Sequence, residues 1–320
     1  MKRFALFLGA VLLAPTVQAQ TFAIIHATVH TSTVDEPLKD GTIIIRDGRI
    51  AAVGTGLAAP AGVRVIDAMG RIVTAGLMAS ETSLGLNEVS DVEYTVDTGV
   101  DNGSFGPSFD IQYALNAEST LLPHVRADGL TRAIAAPTSS AELPFSGQGA
   151  ALRLINGPKI VDRARVAMFA RVGGRSAEKS GGSRAAQWLV IRRALDELRS
   201  GSVRDDDKLF KAHDARALKP VLDGKMPLAI AAAHAADIRQ AIALATDYNI
   251  KVIILGGEES WRVAAELAAA RIPVVIDPSL DQFTSFDNIG ARAETAALLH
   301  KAGVLVAFNS SGGRGTWDAG

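Results

Sequence analysis

The chain has 320 residues and no cysteine. Disulfide frameworks, thiol nucleophiles, iron–sulfur clusters and cysteine-ligated zinc are excluded at once. Aromatic residues make up only 5%, and 33 Lys plus Arg against 34 Asp plus Glu leave a net charge of −1, with no long run of one sign. That balance argues against a nucleic-acid partner. Long hydrophobic runs are missing too, except at the N-terminus, where Lys2 and Arg3 precede an apolar stretch from Phe4 to Ala14 and the small-x-small pattern Val17-Gln18-Ala19. The stretch is far short of the roughly 20 residues that cross a bilayer. It predicts a signal peptide over 1–19, no membrane span in the mature chain, and export to the periplasm or the cell exterior.

What is present is a 48% hydrophobic composition, enough to bury one large core or two modest ones. Residues 20–70 hold short β-rich runs, Phe22 to Ile25, Gly41 to Ile45 and Ile50 to Val53, with Asp47-Gly48 as a hairpin turn. Further on, apolar runs alternate with helical periods. The strand-like runs are Ile72 to Leu77, Thr131 to Ala135, Arg165 to Ala170, Leu228 to Ala232, Val252 to Leu255, Pro273 to Ile276 and Val304 to Phe308. Helices are predicted over Ala186 to Ser200, Asp237 to Tyr248, Glu258 to Arg271 and Ala291 to Ala302. A repeated βα unit implies a parallel sheet buried on both faces. Seven such strands are one short of a (β/α)8 barrel, and Asn309 to Gly320 carries neither period. The expected α/β fold is thus an incomplete (β/α)8 TIM-type barrel over 71–320, truncated before its eighth strand, behind a small N-terminal β-sandwich portion over 20–70. An open doubly wound sheet is the alternative.

The run GTIIIRDGRIAAVGTGLAAPAGVRVIDAMGRIVTAGLMASETSLG at 41–85 resembles the amidohydrolase superfamily, in particular its exported imidazolonepropionase-like and Xaa-Pro dipeptidase-like members. The resemblance continues through Gly129 to Pro137, Phe145 to Leu154, Pro227 to Ala245 and Lys251 to Pro278. It implies a hydrolase of C–N bonds in amides, cyclic imides or dipeptides, with water activated by a zinc-like divalent metal at the carboxyl ends of the strands. The ligands the resemblance implies are an HxH on the first strand, His on strands five and six, and Asp on strand eight. This sequence departs from each. Glu81-Thr82-Ser83 stands at the HxH, Ala75 replaces a Pro, and Ala231 and Ala233 occupy the strand-five positions with His234 displaced by one. Leu255-Gly256-Gly257 stands at strand six, and the strand-eight Asp is expected beyond Gly320.

Glu81 and His234 are the remaining metal-ligand candidates. The plainer alternatives are a solvated strand-end carboxylate for Glu81, and for His234 a helix-capping histidine beside Asp237. Glu258 and Glu259 open a helix, where acidic side chains suit the dipole; Gly256-Gly257 and Ser310 to Gly313 match no phosphate-loop pattern. Between Arg71 and Arg126 there is no Lys or Arg, while Glu81, Glu88, Asp91, Glu93, Asp97, Asp101, Asp110 and Glu118 fall there. This acidic segment is expected either to line the barrel mouth and attract a cationic ligand or to serve solubility alone. Three functions follow from the sequence: a C–N hydrolase, a catalytically inactive binding protein for a small molecule or dipeptide on the same scaffold, or a truncated fragment.

Overall fold

A computed structural model describes residues 21–309 except 91, 101–104, 141–142, 181, 204–209 and 279–284. The proposed signal peptide and the tail from Ser310 lie outside the described residues. The chain divides into two compact units, Met1–Ala75 and Gly76–Gly320.

The first unit is one five-stranded sheet. Strand β1 (Phe22–His30) pairs antiparallel with β2 (Leu38–Arg46), which pairs with β3 (Arg49–Thr55) across the Asp47-Gly48 turn. On its other side β1 takes two short parallel partners in succession, β4 (Arg64–Asp67) and β5 (Ile72–Thr74). Ala27, Val29, Ile43 and Ala68 form its small core. The expected sandwich portion is therefore a single layer among the described residues. Ile72 to Thr74 belongs to this sheet and not to the barrel, because its register with Thr28 to His30 pairs it with β1.

The second unit begins with β6 (Leu77–Thr82). A long connection follows, holding the short β7 (Gly99–Val100) and helix α1 (Leu121–Ala127). Then come β8 (Leu130–Ala135), the short β9 (Ser139–Ser140), β10 (Phe145–Gln148), β11 (Ala150–Arg153), β12 (Val161–Arg163) and β13 (Met168–Arg171). The remaining elements are α2 (Gly174–Lys179), α3 (Arg184–Ser200), α4 (Ala212–Leu222), β14 (Leu228–Ala232), α5 (Ala235–Tyr248), β15 (Val252–Gly256), α6 (Ala264–Ala270), β16 (Val274–Ile276), α7 (Thr295–Lys301) and β17 (Val306–Phe308).

Strands β13 to β17 form a wholly parallel array in sequence order, as the βα period requires. One face packs on helices: Met168, Leu228, Ile230, Ile254 and Val274 meet Ile191, Leu195, Leu218, Ile238 and Leu267 in the main core. The other face carries a smaller apolar cluster, with Phe169, Ala229 and Leu255 packed together. Helix α3 shows why its segment is helical. Ser183 caps it by accepting the Ala186 N–H at 3.2 Å, Trp188, Ile191 and Leu195 recur on its buried face, and Gly201 ends it in the left-handed conformation.

Two features depart from the sequence expectation. Phe145 to Arg153, which has no helix-linked strand period, enters the array antiparallel: β10 pairs with β13 and β11 pairs with β8. A bulge at Gly147 permits the switch; its φ is 123°, and a Cβ there would lie 2.6 Å from the Phe109 carbonyl oxygen. The segment Glu258 to Arg271 opens as a 3-10 turn, Ser260–Val263, before α6. With Phe145 to Arg153 counted as one position, eight strand positions follow each other from β6 to β17. No backbone ladder joins these two ends among the described residues, yet Ser80 Oγ donates to the Phe308 carbonyl at 3.0 Å and the Glu81 N–H donates to Asn309 Oδ1 at 3.3 Å.

The acidic segment is anchored rather than loose. Asp110 accepts Arg165 Nε at 2.7 Å and Gln112 Nε2 at 2.6 Å, and Glu88 accepts Asn116 Nδ2 at 3.0 Å; Asp91 and Asp101 lie outside the described residues. From α4, the buried carboxylate of Asp214 accepts the N–H groups of Gly106 and Ser108 and the Ser108 hydroxyl at 2.6 Å. Replacing it strands these donors, so Asp214→Ala is expected to lower stability by about 2 kcal/mol or more in urea unfolding. An unchanged midpoint would show that the 105–110 segment does not depend on this tether.

Candidate functional site

A parallel array delivers every strand's carboxyl end to the same side, and there the second unit has a cavity of about 600 Å³. Its lining includes Glu81 from the end of β6, Ser146 from β10, Arg171 from the end of β13, Glu258 and Asp277 from just beyond β15 and β16, and Asn309 from just beyond β17. Asp287 reaches the same cavity from a 3-10 turn, Phe286–Asn288.

Of the two sequence candidates, Glu81 lies in the cavity and is already paired. Arg171 Nη2 donates to Glu81 Oε1 at 3.0 Å, and Arg171 Nε donates to the Thr138 carbonyl at 2.8 Å. His234 is the residue before α5 and has carboxylates on both flanks. Its Nε2 lies 2.8 Å from Asp287 Oδ1 and its Nδ1 3.9 Å from Glu259 Oε2, with the Phe286 ring at 5.5 Å. The partner of His234 is thus Asp287 and not the expected Asp237. Asp237 instead accepts Trp188 Nε1 at 3.1 Å and Arg184 Nε at 3.0 Å. Arg184 bridges the two carboxylates, since its Nη2 donates to Asp287 Oδ1 at 2.8 Å.

Glu258 and Glu259, adjacent in sequence, do different things. Glu259 Oε2 accepts the Ala235 N–H at 2.9 Å and so caps α5 from a neighbouring loop. Glu258 lines the cavity. Burial pushes its carboxyl above the usual carboxylate range, and Asp287 and Asp277 nearby push the same way against the opposing effects of its own backbone N–H and His234. The signal that marks Asp277 in the sequence is its position directly after an apolar strand, where side chains face the mouth of such a fold. Arg171 carries no comparable mark, because strand-end arginines are common on solvated surfaces.

These side chains do not fit a divalent metal. Among the described residues no group of three His, Asp or Glu side chains converges, Glu81 is neutralised by Arg171, and His234 is engaged by Asp287. No helix among the described residues is long and apolar enough to cross a membrane.

Neither a protein-family model nor a curated protein matches the chain. Among solved structures it is similar to an amidohydrolase from Thermotoga maritima, with a TM-score of 0.79 and 22% identity over 92% of this chain and 79% of that one. It is also similar to a prolidase crystallised with N-methylphosphonate-L-proline, with a TM-score of 0.50 and 14% identity over 91% of this chain and 78% of that one. The chain therefore has the amidohydrolase fold.

The raised carboxyl of Glu258 sets a sign for stability. The folded state holds this proton to higher pH than the unfolded chain, so the wild type loses stability as pH rises above about 4.5. Glu258→Gln is expected to melt higher than wild type at pH 7 and to show less of an advantage at pH 4. Equal melting temperatures at both pH values would remove the desolvated carboxyl from the account.

Proposed function

We propose that the chain is a member of the amidohydrolase superfamily, a group of C–N bond hydrolases, and that it captures a small polar ligand, an amide or dipeptide, in the cavity without a divalent metal. The pairing of Arg171 with Glu81 inside the cavity carries this reading. A guanidinium with one nitrogen on Glu81 and one on a carbonyl keeps further donors for a ligand carboxylate or amide oxygen. A cation beside Glu81 also opposes a divalent ion there. The quoted sequence resemblance and the likeness to the Thermotoga amidohydrolase and the prolidase support the family. In this reading β17 fills the eighth strand position, and Asn309 stands at its carboxyl end where the resemblance implies an aspartate. The N-terminal pattern supports export of the mature chain.

Glu258 favours a second reading, hydrolysis itself. A desolvated carboxyl in a cavity is the type of group that takes a proton from an attacking water and returns it to the leaving amine as the C–N bond breaks. The two readings separate in one set of measurements on the purified mature chain: elemental analysis with and without added zinc, calorimetry with glycyl-L-proline, and product detection by mass spectrometry. Ligand capture predicts no stoichiometric metal, saturable binding, no free proline, and binding at least about tenfold weaker in Arg171→Met, the loss expected for a charge-assisted contact. One or two tightly held zinc ions with release of proline would overturn it in favour of a metal hydrolase.

A further inference from the structure

We infer that the end of the cavity lined by Glu258 and Asp277 is a subsite for a protonated amine of the ligand. The inference rests on the ligand-capture reading and adds the chemical class of the group recognised. A small side pocket of about 80 Å³ shares Gly256, Glu258 and Asp277 with the main cavity and is closed by Pro278, Thr295 and Phe308 among others. Thr295 is 4% exposed, and its buried Oγ1 has no hydrogen-bond partner among the described residues. A buried hydroxyl without a partner costs free energy that a bound donor would recover.

The surrounding groups select the donor. Glu258 and Asp277 are carboxylates and Thr295 offers a hydroxyl oxygen, an acceptor-rich set that suits the three N–H donors of an ammonium group. Gly256 lets the glutamate turn back onto the pocket; its φ is 78°, and a Cβ there would stand 3.1 Å from Glu258 Oε2. Arg292, the one basic residue on the lining among the described residues, has its guanidinium over the Trp261 ring at 4.7 Å and beside Glu294 at 3.5 Å. An anion is disfavoured by the two acids. A divalent ion is disfavoured because no group of three His, Asp or Glu side chains converges among the described residues. The volume of about 80 Å³ suits an ammonium and the carbon that bears it.

Calorimetry with glycyl-L-proline and its N-acetyl derivative tests the subsite, because acetylation removes the positive charge and leaves the carboxyl end unchanged. The free amine is expected to bind at least about tenfold more tightly, and Glu258→Gln to erase most of that difference, while Glu294→Gln at the surface preserves it. Equal affinity of the two compounds for the wild type would overturn the amine subsite and leave ligand capture standing. Failure of both to bind would overturn the capture reading and the subsite with it. Stoichiometric displacement of glycyl-L-proline by calcium chloride, abolished in Glu258→Gln, would instead assign the pocket to a metal cation and overturn the inference.

Discussion

The parallel register of β13 to β17 is the constraint on which the rest of the second unit depends. Each strand must return to its starting end through a helix or long connection, which covers one face with α3 to α7 and leaves the other face for the smaller apolar cluster that includes Ala229 and Phe169. The same register sends the carboxyl ends of the strands to one side. Residues distant in the chain, Glu81, Arg171, Glu258, Asp277 and Asn309, therefore share one cavity without any of them needing a local motif. The antiparallel segment Phe145 to Arg153 does not break this arrangement, because it contributes Ser146 to the same side with its opposite end.

Charge in and beside the cavity is arranged in two different ways. At Glu81 the carboxylate is balanced by a cation that itself lines the cavity, so the pair stays available to a ligand. At Asp237 and Asp287 the balance comes from Arg184 on α3 and from His234, and these bonds tie α3, α5 and the 286–288 turn together. The two carboxylates thus serve as structural clamps, although Asp287 also reaches the lining. Glu258 stands apart from both arrangements. Its carboxyl is displaced upward by burial and neighbouring acids, which is the environment in which a carboxyl takes part in recognition or proton transfer.

The parallel strands were legible in the sequence because period and burial agree. Leu228 to Ala232, Val252 to Leu255 and the segment ending at Ile276 are apolar without alternation, and each becomes a strand covered on both faces. Ile72 to Thr74 was misleading because a short apolar run does not reveal which sheet it joins. Phe145 to Arg153, part of the family resemblance, carries no strand signal because Ser146, Gly147 and Gln148 break any hydrophobic period, and only the ladders with β13 and β8 make it extended. At the site, the sequence singled out Glu81 and His234 by their place relative to a motif. What it could not contain was their partners: Arg171 lies 90 positions from Glu81, and Asp287 lies 53 from His234.

The Arg184 cluster shows how the fold manages acids that it brings close together. Acids brought together by the fold repel each other unless a cation lies between them. Arg184 answers this with one guanidinium on two carboxylates, Nε to Asp237 and Nη2 to Asp287, while Trp188 supplies Asp237 with a neutral donor. A partly buried network of this kind adds little net stability compared with an apolar replacement, yet removing a single member leaves a charge uncompensated. Its contribution is therefore to specify where α3, α5 and the 286–288 turn sit. Glu258, whose carboxyl burial and the neighbouring acids displace upward, is then the cavity acid on which a ligand's charge can act.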